Sequence, residues 1–248
     1  MHEWGEANQV VFEPAKESFH ILDRNHPSGL SFKILSVVFD TKLAMHEAAH
    51  VFASEAGWRL RTLMRTQRFH ETAAMIRLYK SHILCYIEGA TPALFHAAPS
   101  VLRPIDAIQE TFLGQLGLSE ECALLDYGLA PLSLRRDIAM LGLLFKVSSG
   151  IAPAPIAKMF RPHTGSLTAY GFTANAQFHS KAIHDPVESG HPVIIKRSIF
   201  GLIRVFNRLP QECVNAKTTS QFQHWLQSCA KNAAKHGKPN WQLMFSVG

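Results

Sequence analysis

The chain has 248 residues, of which 47% are hydrophobic and 18% are charged, a composition that excludes a disordered protein and predicts a substantial core. Its net charge of +6 favours anionic partners without naming one. The four cysteines lack metal-ligand spacing, and no apolar run is long enough to cross a membrane. We therefore expect a soluble intracellular protein, cytoplasmic or nuclear, with reduced thiols and no membrane partner.

The first predicted elements are two short strands within residues 8–40. Ser18–Leu22 and Phe32–Phe39 are largely apolar runs, and a turn-rich segment containing Pro27 and Gly29 separates them. This pattern predicts a β-hairpin formed by the two runs. From Met45 onward the apolar residues repeat at helical spacing, which predicts a long helix.

The stretch from residue 58 to residue 97 carries the strongest functional signal. It contains six basic side chains and one acidic side chain, Glu71, between positions 59 and 80. Arg61, Arg65 and Arg68 are spaced by four and three residues, which predicts one shared helical face. A second helix is expected to begin near Thr72 and to end at Gly89. The candidate nucleic-acid-binding residues are Arg59, Arg61, Arg65, Arg68, Arg77 and Lys80.

Further helices follow this basic stretch. Ser119, followed by two glutamates, predicts one helix start, and Pro131 predicts the next. Arg135 and Arg136 lie near that second start, which is unfavourable for cations, so either an anion or an acidic neighbour is expected there. Thr219 or Ser220 is expected to cap the last helix.

These patterns predict a mainly α fold with a small N-terminal β-hairpin, that is, an α+β class. The predicted segments are a hairpin at 1–43, a helical domain at 44–146, a partly disordered linker at 147–191, a C-terminal segment with a terminal helix at 192–230, and a basic tail at 231–248. The linker is inferred from lost periodicity and frequent Gly, Pro, His and Ser. The dispersed histidines, His179 among them, are expected at the surface.

Residues 46–50 match the H-E-x-x-H pattern of zinc peptidases. On a helix, His46 and His50 would face one way and share a zinc ion, with Glu47 as the general base. A catalytic zinc also needs a third protein ligand, but Ala56 stands where one extended pattern has histidine. Glu71 lies at a suitable sequence distance to be the third ligand in another zinc-peptidase pattern. The residues around it do not support that pattern. Because histidine is frequent here, the match is readily explained by chance.

Several blocks of the chain resemble the C-terminal part of reverse transcriptases from non-LTR retrotransposons. The segment NQVVFEPAKESFHI at 8–21 is similar to the stretch that follows the catalytic strands. FKILSVVFDTKL at 32–43 is similar to the family's x-L-G-V-x-x-D-x-x-L block, with Ser36 in place of glycine. Residues 58–88, ending in LYKSHILCYIE, resemble its L-Y-K-S-x-L-x-x-Y-I-E-Y region, and Gly89 replaces the final tyrosine.

The remaining blocks follow in the family's order. Residues 102–113 resemble its L-x-x-I-x-x-x-Q-x-x-F-L helix, and LAPLSLRRDIAMLG at 129–142 resembles L-x-P-L-x-x-R-R-x-x-x-x-L. RSIFGLIRVFNRLP at 197–210, with Phe222 and Leu226 after it, resembles the terminal R-S-F … W-N-x-L-P … F-x-x-x-L. Ile199 and Phe206 depart from that pattern. Together the blocks cover most of residues 8–230, and their collinearity makes the resemblance fairly specific.

The resemblance implies the end of a polymerase palm, a thumb-like helical bundle and the region after it, that is, a partial polymerase fold. The family holds two metal ions with palm aspartates, including a Y-x-D-D turn, in motifs upstream of the matching region. This chain has no Asp-Asp pair. We therefore expect no catalytic residues, no metal and no polymerisation by this chain alone. An upstream or separate palm is an implied partner.

Three hypotheses remain open at this point. The first is a retroelement-derived fragment that binds the RNA or DNA backbone of a template–primer without reading sequence. The second is a zinc hydrolase that uses His46, Glu47 and His50. The third is a relic with no biochemical role.

Overall fold

The computed structural model describes residues 2–11, 13, 17–23, 25–163 and 178–246. Within them the chain is mainly helical with one two-stranded antiparallel sheet, which confirms the predicted α+β class. The chain divides into two compact units, Met1–Ala48 and Ala49–Gly248, and each is described by itself. No helix in the described ranges is both long and apolar enough to cross a membrane.

The N-terminal unit contains helix α1 (His2–Ala7) and strands β1 (Phe32–Ile34) and β2 (Val37–Phe39). The strands pair antiparallel, with Phe32 opposite Phe39. The hairpin therefore lies within residues 32–39, and the prediction that pairs them with Ser18–Leu22 is wrong. That earlier run contributes only the isolated bridge between Ile21 and Ser28.

A two-residue turn explains this register. Leu35 and Ser36 join β1 to β2 with φ of 46° and 71°. Positive φ at both central residues gives a turn whose twist matches that of the strands. After β2, the Asp40 carboxylate accepts hydrogen bonds from the backbone N–H groups of Lys42, Ala44 and Met45, at 3.1, 3.0 and 2.7 Å. Asp40 thereby fixes the chain as it enters the next helix.

The central helices begin with α2 (His46–Met64), which a short 3₁₀ turn (Gln67–Phe69) follows. Helix α2 ends because the backbone N–H and the hydroxyl of Thr66 both donate hydrogen bonds to the Leu63 carbonyl, at 2.9 and 2.7 Å. Arg65 and Arg68 therefore lie beyond the end of the helix. The prediction of a single helical face for Arg61, Arg65 and Arg68 is wrong in this respect.

The second predicted helix is present as a continuous helical run from Thr72 to Gly89. It consists of α3 (Thr72–Tyr79), a π-helical turn (Lys80–Leu84) and α4 (Cys85–Gly89). Glu71 is the N-cap, one residue before the predicted Thr72. The buried residues of this run form one stripe, which faces the core of the helical unit: Met75, Ile76, Tyr79, Ile83, Leu84 and Ile87.

The remaining helices of the helical unit range from 4 to 17 residues in length. They are α5 (Thr91–Leu94), α6 (Pro99–Gln115), α7 (Glu120–Tyr127), α8 (Leu132–Ser148), α9 (Ala154–Ala157), α10 (Val193–Arg197), α11 (Ile199–Asn207), α12 (Gln211–Val214), α13 (Thr219–Lys235) and a 3₁₀ turn (Trp241–Leu243). Ser119 caps α7 and Pro131 precedes α8, as predicted. Thr218 caps α13, immediately before the predicted pair.

The main core lies where α8, α11 and α13 meet. The rings of Phe145 and Phe222 stack there with their centroids 4.5 Å apart. Between α8 and α13, Gly142 lies against the Gln223 side chain, and a Cβ at this position would be 2.5 Å from the Gln223 amide nitrogen. A second stack, Tyr79 on Phe112 at 4.3 Å, joins α3 to α6.

The predicted linker at 147–191 is described only in part. Within it, Pro162 and Ile183 form an isolated bridge, and Ile183 is buried. His179 is also buried, and its Nε2 lies 2.9 Å from the Phe206 carbonyl oxygen, so the prediction of a surface position is wrong for this histidine. Residues 164–177, on which much of the predicted disorder falls, lie outside the described residues.

Candidate nucleic-acid interface

Two of the six candidate residues are held by contacts inside the helical unit. The Arg59 guanidinium donates to Glu55 Oε1 at 2.8 Å and to the His82 carbonyl at 3.2 Å, and it lies 4.1 Å from the centre of the Tyr86 ring. Lys80 Nζ donates to the Tyr127 carbonyl at 2.5 Å. The structure therefore gives both side chains a role in tying helices together.

The other four candidates project from the surface. Arg61, Arg65, Arg68 and Arg77 are exposed, and no carboxylate of the described residues pairs with them. Among the described residues of the helical unit, five other arginines do form an ion pair with a carboxylate. Those pairs are Arg59–Glu55, Arg103–Glu110, Arg135–Glu88, Arg136–Asp106 and Arg204–Asp185.

Arg65 and Arg68 line one open groove of about 500 Å³. His70 and Thr72 also line it, so the groove lies where the 3₁₀ turn leads into α3. The side chain of Glu71 makes no capping hydrogen bond to the first backbone N–H groups of α3. Unpaired helix-start amides favour an anion, and the two guanidiniums add positive charge beside them. Arg61 is four residues before Arg65, on the last turns of α2.

Two aromatic rings are exposed near these arginines, and the sequence analysis did not single them out. Trp58 is 57% exposed and Phe69 is 67% exposed. Trp58 precedes Arg61 by three residues on α2, and the Arg68 guanidinium lies 4.6 Å from the centre of the Phe69 ring. The spacing of Trp58, Arg61 and Arg65 at three and four residues is the sequence signal that could have identified the first ring. We call Trp58, Arg61, Arg65, Arg68 and Phe69 the arginine–aromatic surface.

Arg135 and Arg136 have the acidic neighbours that the sequence predicts. Arg135 Nε donates to Glu88 Oε1 at 2.5 Å, and Arg136 forms two hydrogen bonds with Asp106, at 2.6 and 2.8 Å. Burial raises the pKa of the adjacent Asp137 to about 7, although Arg136 opposes this shift. This part of α8 is therefore an internal electrostatic network, and its two arginines are neutralised.

The quoted residues of three resemblance blocks meet in this interior. The Tyr79 hydroxyl lies 3.5 Å from Gln109 Oε1, and Gln109 Nε2 donates to the Ala130 carbonyl at 2.9 Å. Glu88 belongs to the same block as Tyr79, and its partner Arg135 belongs to the same block as Ala130. The central helical run is thus connected to α6 and α8 by side chains at motif positions of the resemblance, namely Tyr79, Gln109, Glu88 and Arg135.

The H-E-x-x-H residues lie at the start of α2. The side chains of His46, Glu47 and His50 are all exposed, whereas Ala48 and Ala49 between them are buried. Ala56, where one zinc pattern has its third ligand, is fully buried. Among the described residues, no group of three or more His, Cys, Asp or Glu side chains is arranged to hold a metal ion.

A second groove, of about 400 Å³, lies between α8 and α13. Arg135, Glu88, Gln223, His224 and Gln227 contribute to its lining. Its arginine and glutamate form the ion pair described above, so this groove lacks the net positive charge of the groove at Arg65 and Arg68. Comparison of the chain with family models, with curated proteins and with solved structures finds no match.

Proposed function

We propose that the helical unit binds the phosphate backbone of nucleic acids through Arg61, Arg65 and Arg68, without reading base sequence. The observation that carries this proposal is that these three arginines are exposed and lack a carboxylate partner among the described residues. Guanidinium groups suit phosphate because their planar N–H donors match its oxygens. Binding releases the counterions condensed on the nucleic acid, which supplies affinity.

The distribution of charge supports an anionic partner. Residues 1–48 contain seven acidic and four basic side chains, a net charge of −3, so residues 49–248 carry a net charge of +9. Excess positive charge on the helical unit attracts a polyanion over distances up to about a Debye length, roughly 8 Å at physiological salt. The groove at Arg65 and Arg68 then provides a place where phosphate oxygens can be held.

The resemblance to non-LTR reverse transcriptases supports the same partner. In that family the thumb helices contact the template–primer backbone, and the arginine–aromatic surface lies in the region of this chain that resembles the thumb. We further propose that residues 44–146 form a thumb-like bundle and that the N-terminal hairpin derives from the end of a palm. The contacts among Tyr79, Gln109, Ala130, Glu88 and Arg135, which are buried or partly buried, are what an inherited helical scaffold would retain.

Fluorescence anisotropy with a labelled template–primer duplex tests the proposal. The variant carrying Arg61→Ala, Arg65→Ala and Arg68→Ala should bind at least about 10-fold more weakly at low salt, because phosphate contacts dominate such affinity. A control carrying Arg103→Ala and Arg204→Ala removes exposed arginines that are already paired with carboxylates. Equal affinity of the wild-type protein and the triple variant would refute the proposal.

A further inference from the structure

Neither exposed ring of the arginine–aromatic surface belongs to the buried core of the described residues. Phe69 belongs to a 3₁₀ turn that buries none of its residues, and more than half of each ring surface is open, 57% for Trp58 and 67% for Phe69. An exposed large ring leaves apolar area in water, at a cost of about 25 cal/mol per Å². A ligand that covers these rings therefore gains free energy that a phosphate contact alone does not supply.

The two rings flank the three cations along the chain. Along the chain their order is Trp58, Arg61, Arg65, Arg68 and Phe69. Trp58 and Arg61 are three residues apart on α2, Arg65 is the first residue after that helix, and Arg68 contacts Phe69. A ligand that suits this arrangement carries both anionic groups and flat apolar faces.

Single-stranded nucleic acid has these two properties, because its bases are unpaired and each has a π-face. Proteins that bind single strands combine a positive groove for the backbone with aromatic side chains on which bases stack. A duplex keeps its bases stacked on one another and presents only their edges in the grooves. Exposed rings would thus contribute little to the binding of a duplex.

We infer that the arginine–aromatic surface prefers single-stranded nucleic acid, with bases stacked on Trp58 and Phe69 and phosphates held by Arg61, Arg65 and Arg68. This inference rests on the proposed function and adds the class of nucleic acid to it. The contact between Arg68 and Phe69 holds the guanidinium over one face of the ring. A phosphate oxygen could then bind the edge of the guanidinium, and a base could stack on the opposite face of the Phe69 ring. Single-stranded DNA and single-stranded RNA both carry such phosphates and bases.

The test uses the full chain and four probes at one salt concentration: labelled oligo(dT) of 20 nucleotides, labelled oligo(rU) of the same length, a blunt 20-base-pair duplex, and inorganic polyphosphate as a competitor without bases. Trp58→Ala with Phe69→Ala should weaken binding of the single strands by about 10-fold or more, since each stacked base contributes substantially. The duplex and polyphosphate should change by less than about 2-fold. Unequal losses for oligo(dT) and oligo(rU) would identify the preferred strand.

Three controls make the outcome decisive. Trp58→Tyr with Phe69→Tyr keeps the rings and should retain single-strand binding. Trp4→Ala removes another exposed tryptophan, 61% exposed, from the other unit and should have no effect. Circular dichroism establishes that the variants keep their helices, as expected for exposed positions.

The failure of this inference is distinguishable from failure of the proposed function. Equal weakening of all probes by the aromatic variant, or no weakening of any, would overturn base stacking. If the triple arginine variant still loses duplex and polyphosphate binding, the backbone interaction stands without it. If the triple variant binds every probe as the wild-type protein does, the proposed function itself fails.

Discussion

Lys80 Nζ lies 2.5 Å from the Tyr127 carbonyl oxygen, at the C-terminal end of α7. A cation is favourable at that end of a helix, where the last carbonyls lack backbone partners. Burial, with Arg135 and Lys231 nearby, lowers the pKa of Lys80. A candidate ligand contact predicted from the sequence is thus an internal link between the central helical run and α7.

Substitution of Lys80 should therefore separate stability from binding. Lys80→Ala is expected to lower the free energy of unfolding by about 1.5 kcal/mol, because a charged hydrogen bond is lost and a helix end is left open. Arg61→Ala should change it by less than about 0.5 kcal/mol, since the side chain is exposed and unpaired. Urea unfolding measures both. A loss for Arg61→Ala that matches the loss for Lys80→Ala would contradict the assignment of the two roles.

Ser36 is held in a left-handed backbone conformation, with φ of 71°. The resembled family has glycine at this position, and glycine adopts positive φ without a steric cost. We expect Ser36→Gly to stabilise the β1–β2 hairpin by about 0.5–1 kcal/mol. Slower amide hydrogen exchange in residues 32–39 would measure the gain. Ser31→Gly, at a position outside the positive-φ set, serves as the control and should give no gain.

The buried carboxyl of Asp137 should make the free energy of unfolding depend on pH. Burial raises its pKa from 3.8 to about 7, so the folded protein binds a proton that the unfolded chain has already released. Stability should therefore fall as the pH rises from about 4 to about 7, by up to about 4 kcal/mol. Asp137→Asn should remove this fall and be more stable than the wild-type protein at pH 8, but not at pH 4.

Urea unfolding at both pH values measures this difference, and Asp126→Asn removes an exposed carboxylate as a control. Parallel pH profiles of the wild-type protein and Asp137→Asn would show that the buried carboxyl does not titrate in this range.

Elemental analysis separates the zinc hypothesis from the proposed function. A site at His46, Glu47 and His50 would retain about one zinc ion per chain and lose it in His46→Ala but not in His26→Ala. We expect the purified protein to bind zinc no better than His46→Ala does, because a buried alanine occupies position 56 in place of a third ligand. Stoichiometric zinc that disappears only in His46→Ala would favour the hydrolase.

Helix starts and the fold class could be predicted because their causes are local. Ser119 and Pro131 act through their own backbone neighbours, and the apolar stripe of the central run follows from its spacing alone. The end of α2 could not be predicted, because a threonine hydroxyl at position 66 replaces the usual glycine or proline stop. The hairpin register depends on Leu35 and Ser36 accepting positive φ, which their residue types disfavour.

The basic stretch is visible in the sequence, but the contacts of its individual side chains are not. Residue spacing identifies this stretch, whereas tertiary contacts determine which of its cations bind other groups of the protein. Arg59 is held by Tyr86 and by the His82 carbonyl in the π-helical turn, and no local pattern indicates that turn. His179 is buried for a similar reason: its ring contacts Phe206, which is distant in sequence.

The salt dependence of nucleic-acid binding tests the central claim most directly. A plot of log K against log salt concentration has a slope of about −0.9 for each phosphate neutralised on a duplex and about −0.7 on a single strand. The Arg61→Ala, Arg65→Ala and Arg68→Ala variant should therefore flatten the duplex slope by roughly 2 to 3 relative to the wild-type protein, and Arg103→Ala with Arg204→Ala should leave it nearly unchanged. Identical slopes for the wild-type protein and the triple variant would contradict the assignment of these arginines to phosphate binding.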